Sequence, residues 1–266
     1  MVAAMSARLG PKAPAAGPPE TVPFGRLDVA PADKPALVAR LFSGVAPRYD
    51  LMNDLMSAGV HRLWRRALVA ALELKPGAHV LDLAGGTGDI ARRILEADDG
   101  ARGVAVTVCD LTPAMLAEGR RRAWDRGRAS GLAWVCAEAA RLPFAARSFD
   151  ACTLAFGLRN MTRPEPALAE VRRVLRPGAR FLCLEFSPDV APALAPVYDA
   201  ATGRVIPALG EIVAGDREAY QYLVDSIRRF PTSARLAEMI AEAGFAGVRA
   251  RAFAGGIAAL HSAWRA

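Results

Sequence analysis

Val80-Leu81-Asp82-Leu83-Ala84-Gly85-Gly86-Thr87-Gly88-Asp89 is the stretch whose residue types and spacing are best suited to chemistry. An apolar run ends in an acid, passes through a glycine-rich turn and enters a helix near Asp89. Glycine at positions 85, 86 and 88 permits a left-handed backbone and lets a ligand approach without a Cβ in the way. The following helix points its unpaired N–H groups at whatever lies over the turn. Strand, turn and helix in this order make a cofactor loop on an α/β sheet, where ligands bind at the carboxyl ends of the strands.

The loop leaves two cofactor classes open. Gly86-Thr87-Gly88-Asp89-Ile90-Ala91 satisfies the G-x-G-x-x-A form of the dinucleotide fingerprint. Asp110 follows about 20 residues later, where that fingerprint places an acid for the ribose. Asp82 and Asp89, however, put carboxylates at the strand end and the helix N-terminus, where a pyrophosphate would lie. Negative charge there better suits the sulfonium and ammonium groups of S-adenosylmethionine. Asp110 serves the ribose hydroxyls in either case.

Around this loop, 266 residues are enough for one well-buried α/β domain with insertions. Hydrophobic residues make up 53% of the chain, yet no apolar run approaches the roughly 20 residues of a membrane span. The net charge of +7 comes from 34 basic residues, of which only Lys12, Lys34 and Lys75 are lysines. The arginines are scattered, apart from Arg120-Arg121-Arg122, Arg126 and Arg128 on one expected helix, which reads as a solvated face. No nucleic-acid module is recognisable. An anionic membrane surface stays open as a partner. Cys109, Cys136, Cys152 and Cys183 each fall in a strand-like run without C-x-x-C spacing, so buried free thiols and no metal site are expected.

Strand and helix patterns alternate from the loop onward. Strands are expected at Val80–Leu83, Val104–Cys109, Leu132–Cys136, Ala151–Ala155 and Arg180–Phe186. Helices are expected from Asp89 to about Ala97, after Thr112-Pro113, from Pro164 to Leu175 and from Ser233 to Ala243. Pro177-Gly178 closes the third of these and Gly244 the last. Two final strands, Val248–Phe253 and Ile257–His261, form a hairpin across Gly255-Gly256. The fold class is therefore α/β, a Rossmann-like, doubly wound, mostly parallel sheet with a C-terminal antiparallel hairpin. Residues 1–24 are Ala- and Pro-rich and read as a disordered tail. Residues 25–75 read as an N-terminal helical region, with apolar stripes through Leu37, Val38, Leu41 and Phe42 and through Val60, Leu63, Trp64, Ala67 and Leu68. Residues 76–266 are the main domain, with an insertion at about 188–230 that covers the active site. A parallel sheet ended by a hairpin again favours adenosylmethionine, because dinucleotide dehydrogenases usually continue with more βα units.

With these segments placed, the sequence resembles the ubiquinone/menaquinone biosynthesis C-methyltransferase family over about residues 34–265. Four stretches carry the resemblance. They are Phe42-Ser43-Gly44-Val45-Ala46-Pro47-Arg48-Tyr49-Asp50-Leu51-Met52-Asn53-Asp54, the loop itself, Phe156-Gly157-Leu158-Arg159-Asn160 and Gly255-Gly256-Ile257-Ala258-Ala259-Leu260-His261. It implies a class I methyltransferase fold and methyl transfer from S-adenosylmethionine to a ring carbon of a polyprenylated quinol. Cofactor contacts are then expected at Asp82, Gly85, Gly86, Thr87, Gly88, Asp110, Leu111, Glu138, Ala139 and Ala155. Glu138 stands where the family commonly has Asn or Asp, and Ala155 where it often has Ser; Ala201-Thr202 replaces its usual Tyr-Ser.

Methylating a ring carbon requires the quinol to lose a phenolic proton as it attacks, so a group that favours a phenolate is needed. Arg159, just after the fourth strand, is the candidate, either for the phenolate or as a structural clamp on a carboxylate. Asn160 orients the same network or caps the turn. Tyr49, a third catalytic candidate, and Asp54 either close over the site or pack a helix. Of the histidines, His61 is expected as a surface or capping residue, His79 at the start of a strand and His261 at the end of one. A substrate resident in a bilayer implies docking at the membrane or delivery by a quinone-biosynthesis partner. Met52, Leu55 and Met56 are candidates for the entrance and Arg62, Arg65 and Arg66 for headgroup contact. A cytoplasmic enzyme, peripheral on the membrane's inner face and compatible with a homodimer, is the resulting expectation. A non-catalytic scaffold that keeps the fold is the non-enzyme alternative.

Overall fold

Apolar runs at β3 (His79–Leu83), β4 (Ala105–Asp110), β5 (Leu132–Cys136), β6 (Phe149–Ala155) and β7 (Leu175–Phe186) pair in parallel. With β8 (Phe245–Phe253) and β9 (Ala258–Arg265) they form one sheet in the order β5-β4-β3-β6-β7-β9-β8, β9 running antiparallel to both neighbours. The computed structural model describes residues 20–45, 54, 57, 59–200, 202–203 and 217–266. The parallel strands are apolar on both sides because both faces are covered. Alternate side chains divide accordingly. Leu81, Leu83, Cys152 and Leu154 enter one core, with helices α5 (Pro164–Val174) and α8 (Ser233–Glu242). Val80, Val106, Val108 and Ala151 enter the other, with α2 (His61–Ala70) and α3 (Asp89–Asp98).

Strand order reverses at β3, with β4 on one side and β6 on the other. That reversal opens a crevice at the carboxyl ends of the strands, the place where doubly wound sheets bind ligands. Two further elements line it, α1 (Lys34–Val45) and α4 (Pro113–Asp125), and α7 (Arg217–Arg228) of the insertion packs against them. Val38 and Phe42 of α1 pack with Met115 of α4 and with Tyr220, Tyr222 and Leu223 of α7. A short helix, α6 (Ala195–Ala200), lies earlier in the insertion.

Several local expectations are corrected. The end of the expected disordered tail and the start of the expected helical region instead form a hairpin, β1 (Val22–Phe24) with β2 (Leu27–Val29), turning at Gly25 with φ +57°. Strands of three residues carry no readable periodicity. Pro177-Gly178 does not close a helix: α5 ends at Val174 and the chain enters β7 directly, with an irregularity between Phe149 and Ala151 on β6, where it pairs with β7. Cys109, Cys152 and Cys183 are buried, but Cys136 is exposed because it ends the edge strand β5. His61 is buried rather than superficial, its Nδ1 2.8 Å from Ser57 Oγ, and burial lowers its pKa to about 4. His261 lies within β9 instead of ending it.

Candidate active site

The loop after β3 gets its shape from residues that sequence alone does not reveal. Ala84, Gly86 and Gly88 have φ of +51°, +56° and +76°. Across the crevice, Phe156 at the end of β6 has φ +60°, an unusual conformation for a bulky side chain. The two strand ends nearly touch, since a Cβ on Gly157 would lie 2.4 Å from that of Ala84. Left-handed non-glycine residues on both sides of the switch point mark it as strained, as functional sites often are.

Asp82 braces this loop from within. Its Oδ1 accepts from Thr153 Oγ1 at 2.8 Å and its Oδ2 from the Ala91 N–H at 3.2 Å, joining β3 to β6 and α3. Burial pushes its pKa up to about 7, against the two hydrogen bonds. Asp110 ties β4 to the same loop: Oδ2 accepts from the Gly86 N–H at 2.9 Å and Oδ1 from the Thr112 N–H at 2.8 Å. Its pKa is also raised by burial. Thr112 starts α4 without a side-chain cap, and Pro113 occupies the first turn as expected.

Asp89 differs from expectation. Its Oδ2 accepts from Arg65 Nη1 and Arg93 Nε, both at 2.8 Å, and its Oδ1 from Arg92 Nη2 at 2.6 Å. Burial works to raise its pKa, but the three arginines hold it well below the usual carboxylate range. Its charge is thus answered within the protein and does not face the crevice as an unpaired anion. Arg65 is buried in this cluster, which withdraws it from the expected headgroup contacts, whereas Arg62 pairs with Asp54 on the surface and stays exposed. Arg66 is exposed.

A cavity of about 270 Å³ occupies the crevice. Of the expected site residues, Gly86, Asp110, Leu111, Glu138, Ala139 and Asn160 line it. Asp82, Gly85 and Ala155 are not among the residues that line it. Thr87 and Gly88 line a separate cavity of about 70 Å³ beside α3 and α4. Arg159 is set apart too: its Nη1 donates to Glu185 Oε2 at 2.8 Å and to the Phe156 carbonyl at 2.7 Å. Tyr49, Met52, Leu55 and Met56 lie outside the described residues. Sequence reasoning missed Phe156, Met161, Pro35, Val38 and Phe42 as wall residues. The apolar stripe of α1 was a signal for the last two. Acceptors at Asp110 and Glu138 and a bare backbone at Gly86 fit the hydroxyl, amino and backbone-binding groups of an adenosyl cofactor. The apolar wall beside Asn160 fits an aromatic ring. Among the described residues, no cluster of His, Cys, Asp or Glu is placed to hold a metal ion.

The chain is similar to known proteins both in sequence and in fold. The family model of the ubiE/COQ5 methyltransferase family matches residues 30–265. A ubiquinone/menaquinone biosynthesis C-methyltransferase UbiE of Paracoccus denitrificans is 55% identical over 247 residues, 93% of this chain and 98% of that protein. The protein of that name from Methylobacterium nodulans is 54% identical over 246 residues, 91% and 96% of the two chains. Among solved structures, a SAM-dependent methyltransferase of Aquifex aeolicus matches with TM-score 0.55 at 16% identity, over 76% of this chain and 89% of that one. The cyclase SpnF matches with TM-score 0.57 at 18% identity, over 87% and 96%. Structural likeness at such identities shows the fold alone, and a cyclase that shares it shows that the fold does not fix the reaction. Sequence does more: with a family model matched over residues 30–265 and a relative 55% identical over 93% of its length, the chain belongs to the ubiE/COQ5 methyltransferase family.

Proposed function

We propose that the protein methylates a ring carbon of a polyprenylated quinol, on the ubiquinone or the menaquinone path, with S-adenosylmethionine as donor. The observation that carries the reading is one cavity with two kinds of wall. Gly86, Asp110 and Glu138 offer polar groups in its lining, and Val38, Phe42, Phe156 and Met161 an apolar surface. When bound, S-adenosylmethionine supplies an electrophilic methyl group.

Asp110 takes the ribose hydroxyls and Glu138 the adenine amino group, with Leu111 and Ala139 packed against the adenine. Gly86 brings the loop backbone close to the methionine end, while Asp82, Gly85, Thr87 and Gly88 keep the loop in shape. Ala155 supports it from the end of β6. The ring enters between α1 and the turn after β6, and positioning there contributes much of the rate. Asn160 faces the ring, and Arg159 holds the turn that presents it. Tyr49 belongs to the segment that follows α1 and is assigned to closing the site.

No helix among the described residues is long and apolar enough to cross a membrane. A tail buried in a bilayer nevertheless requires contact with one, or a partner that delivers the quinol. Val60, just before α2, and Leu63 on it, both exposed like Arg66, are the side chains we assign to a peripheral contact. The test is transfer of labelled methyl to two short-chain quinols, a naphthoquinol and a methoxybenzoquinol. Label on a ring carbon of either supports the reading, and no transfer despite measured cofactor binding overturns the substrate assignment.

A further inference from the structure

Tyr222 in α7 brings a hydroxyl from the insertion to the turn after β6. Its Oη donates to Asn160 Oδ1 at 3.1 Å. Asn160 Nδ2 donates to the Phe156 carbonyl at 3.4 Å, and Asn160 lines the cavity in the crevice. The Tyr222 ring is held independently of that bond. It is buried, its centroid lies 4.7 Å from that of Phe24 in β1, and a Cβ on Gly25 would come within 3.3 Å of its Cδ2.

The two ends of a primary amide do different work, and only the hydrogen-bond network fixes which end points where. Reversed, Oδ1 of Asn160 would face the Phe156 carbonyl, setting two acceptors together with no proton between them. The Phe156 carbonyl and the Tyr222 hydroxyl therefore admit one orientation, which leaves the second N–H of Nδ2 for the cavity. Burial pushes the Tyr222 phenol up to about 12, with Glu185 adding to the rise and Arg159 opposing it. The hydroxyl thus keeps its proton, and remains a donor, throughout the neutral range.

We propose that Tyr222 is a positioning residue for methyl transfer. Its hydroxyl fixes the Asn160 amide so that an N–H faces the quinol oxygen, and it makes that alignment depend on the seating of α7. An N–H donor at that place stabilises the negative charge that develops as the ring hydroxyl gives up its proton. The inference rests on the quinol methyltransferase reading above. It adds that the insertion controls the electrostatics of the site as well as covering it.

The test is a double-mutant cycle in the full-length protein, with S-adenosylmethionine and the short-chain quinol that the wild type methylates faster. Tyr222→Phe keeps the ring packing and removes the donated bond. The expected result is a kcat lower by about tenfold, the loss of one hydrogen bond of ordinary strength. Cofactor affinity and the thermal midpoint stay near wild type. Asn160→Ala lowers kcat at least as far, and adding Tyr222→Phe to it changes nothing further, because Tyr222 acts only through that amide. A wild-type kcat in Tyr222→Phe, or losses that multiply in the double variant, overturns the proposal. A wild type that binds the cofactor but methylates neither quinol overturns the parent reading and this one with it, a result visible before any variant is made.

Discussion

Arg159 and Glu185 form an ion pair closed to solvent, with Nη1 2.8 Å from Oε2 and side chains 2% and 1% exposed. The same Nη1 donates to the carbonyl of Phe156, and Glu185 Oε2 also accepts from the Phe186 N–H at 3.1 Å. One guanidinium thus joins β7 to the residue whose left-handed backbone opens the turn to Asn160. Arg159 Cζ also lies 5.4 Å from the Phe186 ring centroid, so the cation is enclosed on its apolar side as well. Between the two sequence readings of Arg159, the geometry favours the clamp.

Removing either partner leaves the other buried and charged, which typically costs about 3–5 kcal/mol. Arg159→Ala is therefore expected to lower stability by that order in urea unfolding, and Glu185→Ala by a similar amount. An arginine whose service was to the quinol alone would leave the urea midpoint unchanged.

Asp89 anchors three arginines, one of them, Arg65, buried. Its folded pKa is depressed below the unfolded value near 3.8, so its contribution is present above that pH and lost as pH falls through the folded value. Asp89→Asn should destabilise the protein at pH 7 by about 2–3 kcal/mol, a figure reduced because Arg92 and Arg93 reach solvent. The gap between variant and wild type should close in acid. Equal urea midpoints for the two proteins at pH 7 would show that the cluster contributes nothing.

The strand, loop and helix around Gly86 were legible because their signals are local: an apolar run, turn glycines, then a helical period. The charge reading of Asp89 was correct about its type and wrong about its surroundings. Arg92 and Arg93 stand at i+3 and i+4 and could have been counted, but Arg65 arrives from α2 through tertiary packing. The cofactor class rests on the family match, while Asp110 and Glu138, expected as its contacts, line the cavity at positions that strand order supplies. Positive φ at Ala84 and Phe156 is imposed by the close approach of two strand ends, and no residue type announces it. The Tyr222–Asn160 bond spans 62 positions and leaves no mark on either local pattern.

Cys136 offers a chemical reading of the same wall. It is the exposed cysteine, with Sγ 3.6 Å from the carbonyl of Leu111, a residue of the cavity. Burial raises the Cys109 thiol to about 12 and the Cys152 and Cys183 thiols well above the ordinary value, so these three stay protonated and shielded. A charged alkylating reagent should label Cys136 alone in the native protein and all four thiols in urea. Saturating S-adenosylmethionine should slow the native reaction. Peptide mass mapping reads the positions, and modification of Cys152 before unfolding would contradict the burial of β6.

Asp82 should titrate with the opposite sign to Asp89 across the same loop. Its folded pKa is raised to about 7 by burial, above the unfolded value near 3.8. Between those values the folded state holds a proton that the unfolded chain has released, so folding loses stability as pH climbs through the window. Below about pH 4 both states are protonated and above about pH 7 both are ionised, so the change is confined between them. A shift of this size is worth on the order of 4 kcal/mol. Asp82→Asn cannot ionise and should lack this slope. Urea midpoints at pH 5 and pH 7.5 should therefore show wild type losing ground relative to the variant at the higher pH. Parallel behaviour would mean that Thr153 and the Ala91 N–H stabilise the carboxylate enough to cancel its burial.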